Sequence, residues 1–504
     1  MYIRKTKETD ILSVLAIYRQ AISFMRENGN REQWNDFDSL RANVLRDVRI
    51  GVSYVLVDDE KIKGVFSLIS GEEPTYAEID GKWIYDTPYL TIHRLAIKEN
   101  RKGYGKACIS YAMLQSDHIR IDTHEMNHPM RGLIEKMGFS YCGIITLPDK
   151  SKRFAYEKII DFSDRLLSWY LFFKRDLPWR KDHEFYHVYL SEIMLQQTRA
   201  ESVKPYYERF LSTLPTLKDL ANASEDVYLK LWQGLGYYSR VKNLSKAAKY
   251  IVSNYEDGHR FTREELLSMP GIGPYSANAI LSISYDERCV AVDGNLLRVF
   301  SRLNCYVKDI RSNSAKRDCE EYFLPLIRKN SSLFNQSLMD LGEIICSPSG
   351  EPHCLECPLK KYCLSYQNHS MNLYPMKSSS KSRKEVELTV FLLVYKGRYL
   401  IRKRSEKGLL SSLYEFWNVE EHLNPEDARN YLEKVRFELT YIQKLEDSRH
   451  VFSHVVWNMR GYKVELSSLP TKKDFLLVTK EEILETYSIP SAFHLFLKKV
   501  EESD

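Results

Sequence analysis

The sequence predicts a multidomain protein with an α/β region first, an all-α region next and a mixed α+β region last. Three observations carry that expectation. At 504 residues the chain is longer than one ordinary hydrophobic core organises, so three domains, or four, are expected. The apolar spacing changes near residue 160 from alternating strand and helix patterns to an almost wholly helical one. Beyond residue 387, two apolar runs flank Lys396-Gly397 in the manner of a β-hairpin.

Composition narrows the class. Hydrophobic residues make up 43% and charged residues 28% of the chain, as in a folded protein. A net charge of +5 is small for this length, so affinity for nucleic acid has to come from local basic surfaces. The N-terminus carries early charges, and nowhere do 18 apolar residues run together, so a cytoplasmic protein without a membrane partner is expected. Four of the nine cysteines fall within residues 346–363, which in a reducing compartment reads as a metal or cluster site.

In residues 1–160, Tyr54-Val55-Leu56-Val57 and Gly64-Val65-Phe66-Ser67-Leu68-Ile69 are strand candidates around a short turn. A further strand, residues 89–97, stops just before a glycine loop. Residues 161–367 read as helices, for example Ser191-Glu192-Ile193-Met194-Leu195. Residues 368–386 are polar, basic and interrupted by Pro375, which suits an exposed connector. Residues 387–504 form the closing α+β domain.

The most informative stretch runs from Met269 to Asp293. The turn Met269-Pro270-Gly271-Ile272-Gly273 opens a helix of small residues, and Gly271 and Gly273 let backbone N–H groups face an anionic phosphate at the helix N-terminus. Asp293 follows in Val292-Asp293-Gly294-Asn295. Glu192 lies among apolar neighbours that favour a protonated carboxyl, and Asp293 is the candidate ionised partner. Two carboxyls in different environments suit cleavage of a glycosidic bond through an oxocarbenium-like state, in which one donates a proton to the leaving group and the other faces the cation.

With these residues stand Leu177-Pro178-Trp179-Arg180, residues 191–198, Trp232-Gln233-Gly234-Leu235-Gly236-Tyr237-Tyr238-Ser239-Arg240 and residues 292–299. Together they make residues 162 to about 500 resemble the MutY-type adenine DNA glycosylases of the helix-hairpin-helix superfamily. The resemblance implies that Glu192 protonates adenine N7 and that Asp293 stabilises or traps the sugar cation. Gln197 and Tyr237 then wedge into the duplex while adenine is flipped out, with Arg180 also at the DNA. Tyr275 stands where strand-cutting relatives place a Schiff-base lysine. A phenol forms no imine, so a monofunctional enzyme is expected, with Tyr275 packed against or hydrogen-bonded to Asp293.

Cys346, Cys354, Cys357 and Cys363 give C-x7-C-x2-C-x5-C, a set that holds either zinc or a [4Fe–4S] cluster. The resemblance favours the cluster, although the family's first gap is usually six residues. Lys360 and Lys361 inside this loop suit phosphate contact. Residues 387–500 resemble the Nudix-like domain of the same family. They lack its magnesium-binding glutamate helix, and Trp417 replaces the usual proline. By that resemblance Phe452, Ser453 and His454 form the loop that reads 8-oxoguanine.

Residues 1–160 are similar to a GNAT-type N-acetyltransferase. Asn100-Arg101-Lys102-Gly103-Tyr104-Gly105-Lys106-Ala107 fits a loop cradling acetyl-CoA pyrophosphate, so Arg101, Lys102, Gly103 and Gly105 are cofactor-binding candidates, with Asn127 nearby. Asn100 and Ile134 depart from the family pattern. His93, His124 and Glu125 remain candidates for proton transfer, and the acyl acceptor cannot be read from sequence. The expected fold class is thus a GNAT-like α/β domain, an all-α helix-hairpin-helix glycosylase domain with a [4Fe–4S] loop, and an α+β Nudix-like domain. The expected substrate is double-stranded DNA carrying adenine opposite 8-oxoguanine or guanine, acted on by a monomer. The rival readings are a thymine or uracil mismatch glycosylase on the same fold and a non-catalytic lesion-binding protein.

Overall fold

The computed structural model describes residues 1–378, 383–406, 408–470 and 474–503. The expected 368–386 connector lies partly outside these residues. Contacts divide the chain into two compact units, residues 1–175 with 288–377 and residues 176–287 with 378–504. No helix among the described residues is long and apolar enough to cross a membrane.

The first unit holds a sheet whose strand order is Tyr2–Lys5, Ser53–Asp58, Lys61–Ser70, Leu90–Ile97, His118–Thr123, Lys152–Ile159, Ser140–Thr146 and Ile79–Gly81. Strand alternation sorts its side chains into two cores. Val55, Val57 and Val65 pack with Val14, Tyr18 and Val44 of the helices Ile11–Glu27 and Phe37–Arg49. Leu56, Phe66 and Ile92 pack with Ala107, Ile109 and Ile134 of Tyr104–Gln115 and His128–Lys136. This is the α/β arrangement expected for residues 1–160.

Leu90–Ile97 and His118–Thr123 are parallel, yet they pair only at Leu90, Thr91 and Ile92. Where they part, Leu90–Ile97 carries a β-bulge: Val65 faces Ala96 and Ser67 faces His93, so Arg94 and Leu95 together oppose Phe66. Arg94 takes a left-handed φ of 51°. It is held by Nε donating to the buried Asp47 at 2.8 Å and by the Tyr18 hydroxyl donating to its carbonyl at 2.8 Å.

The remainder of this unit is helical. The capping box of Asp161 and Asp164 starts Phe162–Phe173, and Phe162 packs against Phe323, Phe334 and Tyr362. Ser331–Ile344 is buried over most of its length, polar residues included. Its Asn335 accepts the Ala291 N–H at 2.8 Å and donates to the Cys289 carbonyl at 2.9 Å, fixing the backbone that leads to Asp293.

In the second unit, seven helices from Phe185–Leu195 to Pro274–Tyr285 form the helical part. Arg263–Ser268 and Pro274–Tyr285 flank the glycine turn as a helix-hairpin-helix. The C-terminal sheet is centred on the parallel pair Lys384–Tyr395 and Val455–Leu466. Both of its faces are covered. Leu388, Val390 and Trp457 pack with Phe493 and Phe496 on one side, and Phe391, Leu393 and Tyr462 with Ala428 and Leu432 of Pro425–Lys434 on the other.

Asn335→Ala removes the partner of the buried Ala291 N–H and one of the donors to the Cys289 carbonyl, which the Ser331 hydroxyl also reaches. It is expected to lower stability by about 1–3 kcal/mol, measured as a shift in denaturant midpoint.

Candidate active site and nucleic-acid interface

Glu192 lies in the helix Phe185–Leu195 and is only 4% exposed. A carboxyl so placed needs a polar partner. The Tyr275 hydroxyl supplies one by donating to Oε2 at 2.6 Å. Tyr275 reaches it because Gly273 caps Pro274–Tyr285 and this helix packs on Phe185–Leu195. Beside it, Gln196 Nε2 donates to the Ser276 hydroxyl at 3.1 Å. The sequence placed Tyr275 packed against or hydrogen-bonded to Asp293; this bond of its hydroxyl runs to Glu192.

The glycine turn is sterically enforced at one of its two positions. Gly271 has a φ of +82°, and a Cβ there would meet the Asn243 Cβ at 2.9 Å. At Gly273 a Cβ would meet nothing, and this N-cap makes no side-chain capping bond to the helix N–H groups. Such an end accommodates an anionic oxygen.

Asp293 is the N-cap of Gly294–Asn304. Its Oδ1 accepts the Leu296 N–H at 2.7 Å and its Oδ2 accepts from Asn295 Nδ2 at 2.7 Å. Burial pushes the carboxyl above its ordinary pKa, while these two donors pull it down; the net direction is upward. Asn295 is itself fixed, since Arg298 Nη2 donates to its Oδ1 at 2.7 Å and to the Gly342 carbonyl at 2.6 Å. Arg298 Nε donates to the Cys346 carbonyl at 2.7 Å, so one arginine ties the cysteine loop to the residue that orients Asp293. Sequence reasoning missed Asn295 and Arg298. Their signal was the i, i+3 spacing on one face of the helix that follows Asp293.

At the cysteines, Arg302 Nη1 donates to Cys346 Sγ at 3.2 Å, and the Cys363 thiol donates to the Arg302 carbonyl at 3.4 Å. Burial pushes the Cys357 thiol up, and the charges of Cys346, Cys363 and Cys354 push the same way. If all four were deprotonated, the thiolates would repel one another, and a bound cationic group would relieve that repulsion. Among the described residues no three His, Cys, Asp or Glu side chains converge to hold a metal ion, so the arrangement does not itself choose between zinc and a cluster. Lys361, expected to face phosphate, is ion-paired with Asp117 of the α/β region, which also binds Arg165.

Of the remaining DNA candidates, Gln197, Tyr237, Ser453 and His454 are exposed, and Arg180 and Phe452 are half-buried. Arg180 ends the short turn Pro178–Arg180, anchored by the buried Trp179. Gln197 is exposed, and Tyr237 is 44% exposed. Both are left-handed, with φ of 57° and 49°. Ser453 and His454 form the exposed tip of a tight hairpin closed by the Phe452 N–H on the Val455 carbonyl at 2.8 Å. Phe452 packs inward on Trp457, and Ser453 Oγ lies 3.2 Å from His454 Nδ1.

In the α/β region, Arg101 and Lys102 are exposed and Gly103 caps Tyr104–Gln115 without a side-chain bond to its first turn. A Cβ on Gly105 would meet Leu133 Cδ2 at 2.8 Å, so this glycine serves helix packing. The uncapped N–H groups suit a pyrophosphate. Asn127 is instead engaged locally: it caps His128–Lys136 and donates to Gln33 at 3.1 Å. His93 bonds Glu73 at 3.0 Å, and His124 lies 3.5 Å from Glu32.

Comparison with known proteins fits this geometry. Residues 190–325 match the HhH-GPD superfamily of base excision DNA repair proteins, and residues 389–499 match the NUDIX domain family. The chain is 32% identical to the adenine DNA glycosylase of Buchnera aphidicola (subsp. Schizaphis graminum), over 61% of this chain and 88% of that one.

The chain belongs to the adenine DNA glycosylase family.

A human adenine DNA glycosylase is 30% identical over 61% of this chain and 68% of its own. The N-terminal part of the present glycosylase is similar to a GNAT-family acetyltransferase from Streptococcus agalactiae, with 28% identity over 32% of this chain and 95% of that one and a TM-score of 0.30.

Because Asn295 helps to hold the Asp293 pKa down, Asn295→Ala should raise it. For an Asp293 that serves as the ionised partner expected from the sequence, the acid limb of the single-turnover excision rate is then expected to move to higher pH. A pH profile of both proteins on one duplex checks this.

Proposed function

We propose that this chain hydrolyses the N-glycosidic bond of adenine mispaired with 8-oxoguanine or guanine in duplex DNA, without cutting the strand. The observation that carries the reading is the buried Glu192 held by the Tyr275 hydroxyl at 2.6 Å. A general acid must be protonated before reaction and stable as a carboxylate after it. Burial serves the first need. The Tyr275 hydrogen bond serves the second, and it also fixes the carboxyl rotamer. Asp293, oriented by Leu296 N–H and Asn295, faces the sugar as positive charge develops.

Tyr275 in place of a lysine leaves no amine at this position to form an imine with the opened sugar. The exposed Ser453 hydroxyl at a hairpin tip suits discrimination of 8-oxoguanine by hydrogen bonding, which favours adenine over the thymine or uracil reading. Cys346, Cys354, Cys357 and Cys363 would hold a [4Fe–4S] cluster, which would cross-link the loop and so brace Arg298. The α/β region would bind acetyl-CoA at Arg101, Lys102, Gly103 and the N-terminus of Tyr104–Gln115, and transfer its acetyl group to an amine.

Purified protein incubated with duplexes carrying A opposite 8-oxoguanine, T opposite G and U opposite G should yield alkali-labile sites only in the first. Breaks without alkali would refute the monofunctional reading. Glu192→Gln is expected to slow excision by about 10²–10⁴-fold, and Tyr275→Phe by roughly tenfold.

Calorimetry should detect acetyl-CoA binding that Lys102→Glu weakens by about tenfold or less, as for one exposed charge contact. Absence of binding to the unaltered protein would remove the cofactor reading.

A further inference from the structure

The two DNA-wedge candidates, Gln197 and Tyr237, sit on separate loops, and one buried side chain lies between them. Arg240 is 7% exposed. Its Nη1, whose two hydrogens are shared among them, lies within hydrogen-bond reach of the carbonyls of Ile193 at 3.2 Å, Met194 at 2.8 Å and Gln196, and of the Thr198 hydroxyl at 3.2 Å. Its Nη2 donates to the carbonyls of Leu235 at 3.3 Å and Gly236 at 3.1 Å. The guanidinium carbon also lies 5.3 Å from the Tyr237 ring centroid and 5.4 Å from that of Trp232.

Each of these contacts answers a physical need. Ile193 and Met194 belong to the last turn of the Glu192 helix, whose carbonyls have no partner within the helix and favour a cation. Gln197 and Tyr237 are non-glycine residues held left-handed, at φ of 57° and 49°, a conformation that persists only where its surroundings impose it. The rigid fork of an arginine can satisfy several carbonyls at fixed angles; a lysine ammonium cannot reproduce that geometry. Burial lowers the Arg240 pKa to about 10, which leaves it cationic at neutral pH.

We propose that Arg240 is a positioning residue that makes the Gln197 loop, the Tyr237 loop and the end of the Glu192 helix one mechanical unit, so that the two wedges enter the duplex together as adenine leaves the stack. The statement rests on the reading of Gln197 and Tyr237 as wedges. Without such a link, each left-handed residue could relax to the more favoured right-handed region independently, and insertion of one would not prepare the other. Arg240 touches no reacting atom; it acts through the backbone of residues that do.

Two measurements on the full chain test this, with Arg240→Lys as the conservative variant and Arg240→Gln as the severe one. The first is amide hydrogen exchange without DNA. Residues 193–198 and 235–238 are expected to lose protection together in both variants, while residues 263–285 keep theirs. Loss in one loop alone, or in neither, overturns the proposal, and the conservative variant decides the matter if the severe one does not fold.

The second is a double-mutant cycle on the extrusion rate, read by 2-aminopurine fluorescence opposite 8-oxoguanine. Gln197→Ala and Tyr237→Ala should each slow extrusion, and their combined effect should fall short of the product by roughly three- to tenfold. In the Arg240→Lys background the effects should multiply. Multiplication in the unaltered protein overturns the proposal. If neither single variant slows extrusion, the wedge reading has failed, and the exchange experiment alone decides whether Arg240 couples the loops.

Discussion

The hydrogen bond from Tyr275 to Glu192 is the interaction on which the candidate chemistry depends. It joins two demands that pull apart. The acid has to be removed from water to stay protonated, and the glycine turn has to stay open so that its N–H groups can meet a phosphate. Both are met because Tyr275 lies in the first turn of the helix that the glycine turn opens. The bond therefore locks the acid to the element that would read the backbone, and Gln196 on Ser276 repeats the link one residue further on. In this arrangement a shift of the hairpin is a shift of the acid.

Asp293 poses a different problem. A carboxylate that will face a developing cation must not be neutralised beforehand by a permanent positive partner. Among the described residues it is oriented by the Leu296 N–H and by Asn295, and no ion pair neutralises it. The positive charge of Arg298 is set back behind Asn295, whose amide passes the orientation on. This also gives the cysteine loop a mechanical route to Asp293 through a single side chain. The cost is that burial is only partly offset, and the Asp293 pKa rises.

What was legible in the sequence was local. Alternation in Val55, Leu56 and Val57 gave the strand and its two faces, small residues after Gly273 gave the hairpin helix, and apolar neighbours placed Glu192 inside. What was not legible was the choice of long-range partner. That the Tyr275 hydroxyl reaches Glu192 depends on the packing of two helices, which nothing in the local sequence marks. Lys361 looked like a phosphate contact because nothing in its own loop marks Asp117, 244 positions away, as its ion-pair partner. Arg240 sat inside a run already noted for its glycines and tyrosines. A single arginine in a polar helix start gives no sign that its guanidinium is buried.

Arg240, Arg298 and Arg302 solve one problem in the same way. A buried guanidinium needs its donors filled, and a carboxylate is the usual partner. Here Arg240 donates through its two Nη groups to main-chain carbonyls and a hydroxyl, its Nε alone lacking a partner among the described residues, Arg302 to carbonyls and a thiol sulfur, and Arg298 to carbonyls and an amide oxygen. Carbonyls satisfy the hydrogen bonds without cancelling the charge. For a protein of small net charge that has to hold a polyanion, this choice matters, because each buried carboxylate would subtract from the local positive potential on which affinity depends. It also suits the chemistry. Extra anions near Glu192 would raise its pKa and oppose release of its proton, and extra anions near Asp293 would raise the pKa of a group that must be ionised. Satisfying arginines with backbone rather than with acids keeps the number of carboxyls near the chemistry small, and so keeps the roles of the two candidates distinct.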